Sequence, residues 1–456
     1  MIESVQPVQN VREIKPAKDK LKGWGGLWSN SWLRKVYRRY LKRYAVIRWV
    51  VMWVWCNAYP FCINLSTHLF NIKARRWRPL IKLSDFTLKK EVLSYKLADS
   101  VIVETPLPTV FPLCDQSYLL SPHHRYKFPE IFVATIKNAM IYGGTNLILT
   151  NDKVICHDLY DFKHDYISEE FHGRALIDPK SNCIRWLLHD ELPEPISVAA
   201  SFVDSCAANY AHWMTEVLPR IVIFCAEDRF HGVPIVVNHG LHKNLMESLL
   251  LVTGSEREII TLPIGRALAI DKLYLTSATG YVPFGMRVAK NSDRHHGIFS
   301  PYALELLRNS IYALGSISEA QYSPEKIYLR RNSGARKATN SIEIEKLMLS
   351  RGYAIIEPEK LTFSQQVQLF KNAKIIIAPT GAALASAVFS KPATQVVILM
   401  AKHENMIYRY WSNMLLPIKV SYVLGSIVEN QRLGIHGDFV VNINDLIDLL
   451  ETLENK

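Results

Sequence analysis

The segment from Lys326 to Leu399 constrains the fold more than any other part of the 456-residue chain. It alternates short apolar runs with amphipathic ones, joined by links of a few residues. Residues 327–329 read as a strand that delivers Arg330 and Arg331 at its C-terminal end. A helix follows, with Ser341 as its N-cap and Glu343 and Glu345 in the first turn, where acids suit the dipole. Residues 353–356 form a second strand, and 364–372 a second helix, amphipathic through Val367, Leu369 and Phe370. Residues 375–378 are continuously apolar, the pattern of a strand covered on both faces. They end at Pro379-Thr380-Gly381, where a helix of small residues starts at once. Strands alternating with helices predict a doubly wound α/β sheet, and such sheets bind ligands beyond the carboxyl ends of their strands. The arginine pair and the Thr-Gly turn both fall there.

That placement suggests phosphate chemistry. A glycine turn opening a helix offers free backbone N–H groups and the positive end of the dipole, although such a glycine can also serve the turn alone. Arg330, Arg331, Arg336 and Lys337 add donors, the arginines as planar forks that match phosphate oxygens.

The net charge of +12 would suggest a nucleic-acid partner if it were spread over the chain. Residues 1–80 hold 16 Lys and Arg against 3 acids and seven of the ten Trp, so the remaining residues sum to −1. A neutral body excludes a basic groove across the protein, and the basic, Trp-rich head reads as an attachment segment. Between Trp32 and Tyr44, Leu33, Val36, Tyr37, Tyr40 and Leu41 share one helical face, and Arg and Lys cover the other. Such a helix suits an anionic membrane surface. Residues 49–63 are uncharged but contain Asn57 and Pro60 and fall short of the roughly 20 apolar residues a span needs. Residues 30–80 are therefore expected to be a monotopic anchor, with a helical cap on the body as the alternative. Residues 1–22 read as disordered, without an apolar leader. Seven scattered Cys without a C-x-x-C pair read as reduced thiols of a cytoplasmic protein at the inner face of the plasma membrane.

In Asn209-Tyr-Ala-His-Trp-Met-Thr-Glu-Val-Leu-Pro-Arg-Ile, helical spacing places Asn209, His212, Glu216 and Arg220 on one face, beside Trp213. Pro219 should end or kink that helix near 215–218. His212 and Glu216 can hydrogen-bond, and either can serve as a general base; a His satisfied by its own helix neighbour is the plainer reading. The acids and histidines Asp152, His157, Asp158, Asp161, His164 and Asp165 share no regular spacing and read as a solvated loop, with no metal site expected.

Residues 209–221, 328–340 and 361–389, with 406–416 following in order, together resemble glycosyltransferase family 61, which includes bacterial capsular and cell-surface polysaccharide transferases. The resemblance covers roughly residues 200–425. It implies a GT-B architecture, two Rossmann-like domains facing a cleft, at 81–290 and 291–456, behind the basic, Trp-rich helical extension 1–80. It also implies an EC 2.4 transferase, hexosyl or pentosyl, that is inverting and metal-independent and needs no cofactor beyond its nucleotide-sugar donor. On these residues Glu216 and His212 would be catalytic. Arg330, Arg331, Lys337, Thr380, Gly381 and Ala382 would bind the donor, and Asn209 and Trp213 would face a lipid-linked or polysaccharide acceptor. Thr380 stands where the family usually has His; it can accept or donate one hydrogen bond but carries no charge. A nucleotide-sugar epimerase and a non-catalytic assembly factor are the alternatives. Deleting residues 1–80 should release the protein from anionic vesicles in a flotation assay while sparing soluble-acceptor chemistry; retention on the vesicles would refute the anchor.

Overall fold

The computed structural model describes residues 10–16, 46–47, 50, 77–88, 92–119, 125–165, 174–178, 181–186, 193–284, 297–314, 323–332, 335–402, 408–428 and 437–454. Most of the expected anchor, the presumed boundary near 290 and residues 49–63 apart from Val50 lie outside them. No helix among the described residues is long and apolar enough to cross a membrane.

The described chain is mixed α/β, built on two large sheets. At the heart of the first lie five parallel strands, in the spatial order Val11–Glu13, Ile259–Leu262, Ile235–Asn238, Glu194–Ser201 and Ala267–Thr276. Ile235-Val-Val and Ile259-Ile-Thr-Leu are buried throughout, as parallel strands covered on both faces must be. The long strand Ile131–Tyr142 then pairs antiparallel with Ala267–Thr276 and carries the sheet on through further, mostly short strands.

The second sheet orders Ala354–Ile356, Lys326–Leu329, Ile375–Pro379, Gln395–Ala401 and Lys419–Ile427, all parallel. The strands expected at 327–329 and 375–378 thus appear one residue longer each. The helix expected at 364–372 is Phe363–Asn372, opened by a Thr362–Gln365 capping box. Ser341 is not the cap of its helix. Asn340 takes that position and turns its side chain onto the backbone of Val441, at 2.8 and 3.1 Å.

Three assignments by sequence position need correction. Val11–Glu13 is an edge strand of the first sheet, not disordered, and Trp77–Lys82 pairs with both Val154–Cys156 and Cys183–Trp186, with Leu80 buried. The basic head therefore contributes to the body at both ends, and a deletion that isolates membrane binding must spare Trp77–Lys82. The strand Thr109–Phe111, placed by sequence in the first unit, adds in parallel to Lys419–Ile427 of the second sheet.

One hydrophobic cluster runs through the helices of both halves, from Trp213, Leu218 and Phe224 to Phe363, Leu384 and Phe389. Polar pins reinforce it. Glu247 accepts from the amides of Phe363 and Ser364 at 2.9 Å each, capping a helix of the other half, and Asn244 donates to the Leu361 carbonyl at 2.9 Å. Leu80→Ala should lower stability by about 2–5 kcal/mol, the usual cost of emptying a core site. Chemical denaturation measures it, and an unchanged midpoint would contradict the placement of the Trp77–Lys82 strand.

Candidate functional site

The carboxyl ends of the two parallel blocks carry the chemistry-bearing side chains. On the first side, Asn209 caps the helix that begins at Tyr210, its Oδ1 accepting from the Ala211 amide at 3.0 Å. One turn later the helix widens into a π turn over Trp213–Val217, closed by the Leu218 amide on the Trp213 carbonyl. Pro219 explains the widening. It has no N–H to give, and its ring would crowd the carbonyl four residues back, that of Thr215. Gly280 admits the Thr215 carbonyl on the other side, because a Cβ there would lie 2.6 Å from that oxygen.

The result brings His212 and Glu216 together, Nδ1 to Oε1 at 2.6 Å, with both side chains about nine-tenths buried. The His212 ring stacks parallel to Phe284 at 6.0 Å. Burial raises the pKa of Glu216 above the usual 4.5; His212 pulls it back, Asp204 raises it and Arg220 lowers it. Arg220 is held by the Glu216 carbonyl at 2.7 Å and by Asp204 at 3.2 Å. Asp204 also accepts from Asn146 at 3.2 Å and from the Cys206 amide at 2.9 Å.

The two expected acceptor-side residues have structural roles. Trp213 is fully buried and donates its indole N–H to Ser248 at 2.9 Å, so it belongs to the core. Asn209 is occupied as a cap. Side chains on one helical stripe diverge once the helix widens, which the simple periodicity does not anticipate.

On the second side the arginine pair separates. Arg330 is clamped bidentately by Glu345, at 2.8 and 2.6 Å, and by Glu357 at 3.2 Å. It braces the sheet to its neighbouring helix and is not available as a phosphate donor. Arg331 points the other way. Its Nε donates to the Ala335 carbonyl at 2.8 Å, and a Cβ at Gly381 would collide with its Nη1. Gly381 is extended there (φ 176°), so close approach of the guanidinium, not backbone conformation, is what requires a glycine. Burial lowers the Arg331 pKa to about 10; Arg336 repels it further and Asp438 attracts it. Among the described residues no carboxylate forms an ion pair with Arg331. A half-buried cation of this kind is stabilised by an arriving anion.

Thr380 is nearly buried. Its amide continues the sheet to the Leu399 carbonyl at 2.9 Å, and its Oγ1 accepts from Trp411 Nε1 at 3.2 Å. The amides that remain for a ligand are those of the turn after it, ahead of the bond from Leu384 N–H to the Gly381 carbonyl at 3.0 Å. Ala382 opens a 3-10 helix, Ala382–Phe389. Lys337 is exposed, with its amide on Asp438 at 2.9 Å.

Tyr410, which the sequence reading passed over, joins the two sides. Its ring packs edge-on against Trp411 and Phe299, at 4.7 and 5.6 Å. Burial raises its pKa, the Glu216 charge adds to the rise, and Arg336 opposes it. Glu216, Tyr410, Arg336, Arg331 and Gly381 thus form one continuous electrostatic neighbourhood. The Tyr-Arg-Tyr-Trp run at 408–411 was the available signal, an aromatic pair of the kind that lines clefts.

The expected solvated loop holds only in part: Asp152 and His164 are exposed, but Asp165 is fully buried and accepts from the Asp161 amide at 2.9 Å, and Asp158 accepts from the Ser84 amide at 2.7 Å. Burial pushes the His157 pKa down to about 4. These polar groups fold the loop by satisfying its backbone. Among the described residues no three His, Cys, Asp or Glu side chains cluster so as to hold a metal ion.

Residues 210–397 match the family model described as Glycosyltransferase 61, and the matched segment runs from the helix of His212 and Glu216 through the Arg331–Gly381 contact. The match supports glycosyl transfer, an EC 2.4 activity, as the general chemistry. No curated protein matches the chain. Among solved structures it is similar to a dodecameric iron-containing heptosyltransferase, TibC, in complex with ADP-D-beta-D-heptose. That likeness has 10% identity and a TM-score of 0.22, over 68% of this chain and 78% of that one, too low a score to bear on fold or chemistry.

A Glu216 base must be ionised to accept a proton, so activity should fall as the pH drops through its raised pKa. The acid limb of kcat/KM is therefore expected above 4.5. His212 lowers that pKa, so His212→Ala should move the limb to higher pH. Glu216→Gln should abolish the limb and cut the rate by about 10²–10⁴-fold. An unshifted limb in His212→Ala would disprove the coupling.

Proposed function

We propose that the protein is a GT-B-type glycosyltransferase that moves a sugar from a nucleotide-sugar donor to a capsular or cell-surface polysaccharide acceptor, with inversion and without a metal ion. The observation that carries this reading is the half-buried Arg331 guanidinium, with no carboxylate ion pair among the described residues, laid over Gly381 at the mouth of the second sheet. It supplies the positive charge that a departing diphosphate needs, together with the amides of Gly381 and Ala382 and, from the rim, Lys337.

In the reaction, Glu216 takes the proton of the acceptor hydroxyl. The acceptor oxygen forms a bond to the anomeric carbon from the face opposite the leaving group, and the carbon–phosphate-oxygen bond breaks. Its electrons pass to the diphosphate beside Arg331. His212 stabilises the Glu216 carboxylate through their 2.6 Å bond and so positions the base. The 16 cations against 3 acids of residues 1–80 support a peripheral place on an anionic membrane, where a lipid-linked acceptor is also held.

The test is nucleoside diphosphate release from a panel of nucleotide sugars, chosen by thermal shift with free nucleoside diphosphates. Arg331→Ala should lower kcat/KM about a hundredfold at unchanged melting temperature, the usual loss of one well-placed charged donor. Gly381→Ala should do the same by displacing the guanidinium. Arg330→Ala should lower the melting temperature while the folded fraction retains turnover, and turnover should survive chelation. Wild-type turnover in Arg331→Ala would refute the diphosphate site.

A further inference from the structure

Beside Glu216, at the carboxyl end of the first sheet, lies a cavity of about 50 Å³. Its walls include His157, Asp204, Thr276, Tyr281 and Phe284. Two of these side chains hold buried polar atoms without a hydrogen-bond partner among the described residues, His157 Nδ1 and Thr276 Oγ1. Such atoms cost free energy unless something meets them. The charged wall is already neutralised, since Asp204 is bonded by Arg220, Asn146 and the Cys206 amide. His157 is uncharged near neutral pH. Rings also line it: Tyr281 lies 4.5 Å from the His157 ring, and Phe284 stacks on His212. The lining thus joins two unmet hydrogen-bonding atoms to aromatic rings, with the one lining arginine already paired and the candidate base on its wall.

We infer that this cavity is the acceptor subsite and that it takes the exocyclic hydroxymethyl group of a neutral sugar. The hydroxyl bonds Thr276 and His157, and the ring rests at the mouth against Phe284 and Tyr281. The volume accommodates roughly three or four water-sized groups, enough for a hydroxymethyl arm but not for a pyranose ring. An anion finds no unneutralised cation on these walls, and an apolar group would leave both polar atoms unmet. Seated this way, the sugar presents a ring hydroxyl to Glu216. The acceptor role rests on the glycosyltransferase reading, whereas binding of the hydroxymethyl group stands independently of it.

The experiment uses the full-length protein and methyl glycosides of glucose, galactose and mannose, each paired with its 6-deoxy counterpart. Binding is read by saturation-transfer NMR and by crystal soaks. At least one hydroxymethyl sugar should bind about fivefold more tightly than its 6-deoxy partner, the worth of one neutral hydrogen bond. Thr276→Val should abolish that difference, and Thr276→Ser should preserve it at an unchanged melting temperature. Equal affinities within every pair, an intact difference in a folded Thr276→Val, or soaked crystals with only water in the cavity would each overturn the inference. None of these readouts requires a donor or turnover. Sugar binding without nucleoside diphosphate release would therefore defeat the catalytic reading alone, and release without sugar selectivity would defeat the subsite alone.

Discussion

The apolar seam between the two halves is the constraint on which the rest depends. The helix that carries His212 and Glu216 presses Trp213, Met214 and Leu218 into the same cluster as Leu384, Val388 and Phe389, which follow Gly381. The seam places the His212–Glu216 pair and the turn at Gly381 in fixed relation, because dense packing leaves few alternative arrangements. Tyr210 adds a polar lock, its hydroxyl within 2.8 Å of Ser386 and 3.2 Å of Gln366. A large apolar interface of this kind resists the relative motion that two loosely linked units would show.

The same packing gives the two arginines opposite fates. They are neighbours in the chain at the end of a strand, where successive side chains point to opposite faces. One face holds Glu345 and Glu357, and Arg330 is consumed there as a brace. The other face turns toward Gly381, and Arg331 remains a cation in a half-buried place. The difference between a guanidinium held by acids and one left without an acidic partner among the described residues is therefore one step along a strand. A comparable division separates Asn209 and Trp213, which hold the helix in place, from His212 and Glu216, which pair with each other.

Much of the second sheet was legible in the sequence. Residues 326–399 alternate between apolar runs and amphipathic ones with clear boundaries, and the observed elements Lys326–Leu329, Phe363–Asn372 and Ile375–Pro379 depart from expectation by a single residue at one end each. The His212–Glu216 pair was legible too, because residues four apart meet on a helix. The cavity wall was not. His157 looked like part of a polar loop, and nothing local distinguishes a buried histidine from a solvated one. Tyr410 was equally silent, since its importance lies in what stands on either side of it.

What the sequence by itself determined is whatever depends on nearest neighbours: strand and helix periods, the proline that forces the π turn, and the concentration of positive charge ahead of a neutral body. The tertiary structure decided which distant groups meet. Arg330 finds acids 15 and 27 residues away, and Thr109–Phe111 crosses to pair with residues more than 300 positions later. Such meetings are set by how two sheets share one core, and burial and pairing then dictate charge state. Patterns repeated every two or four residues carry no record of them.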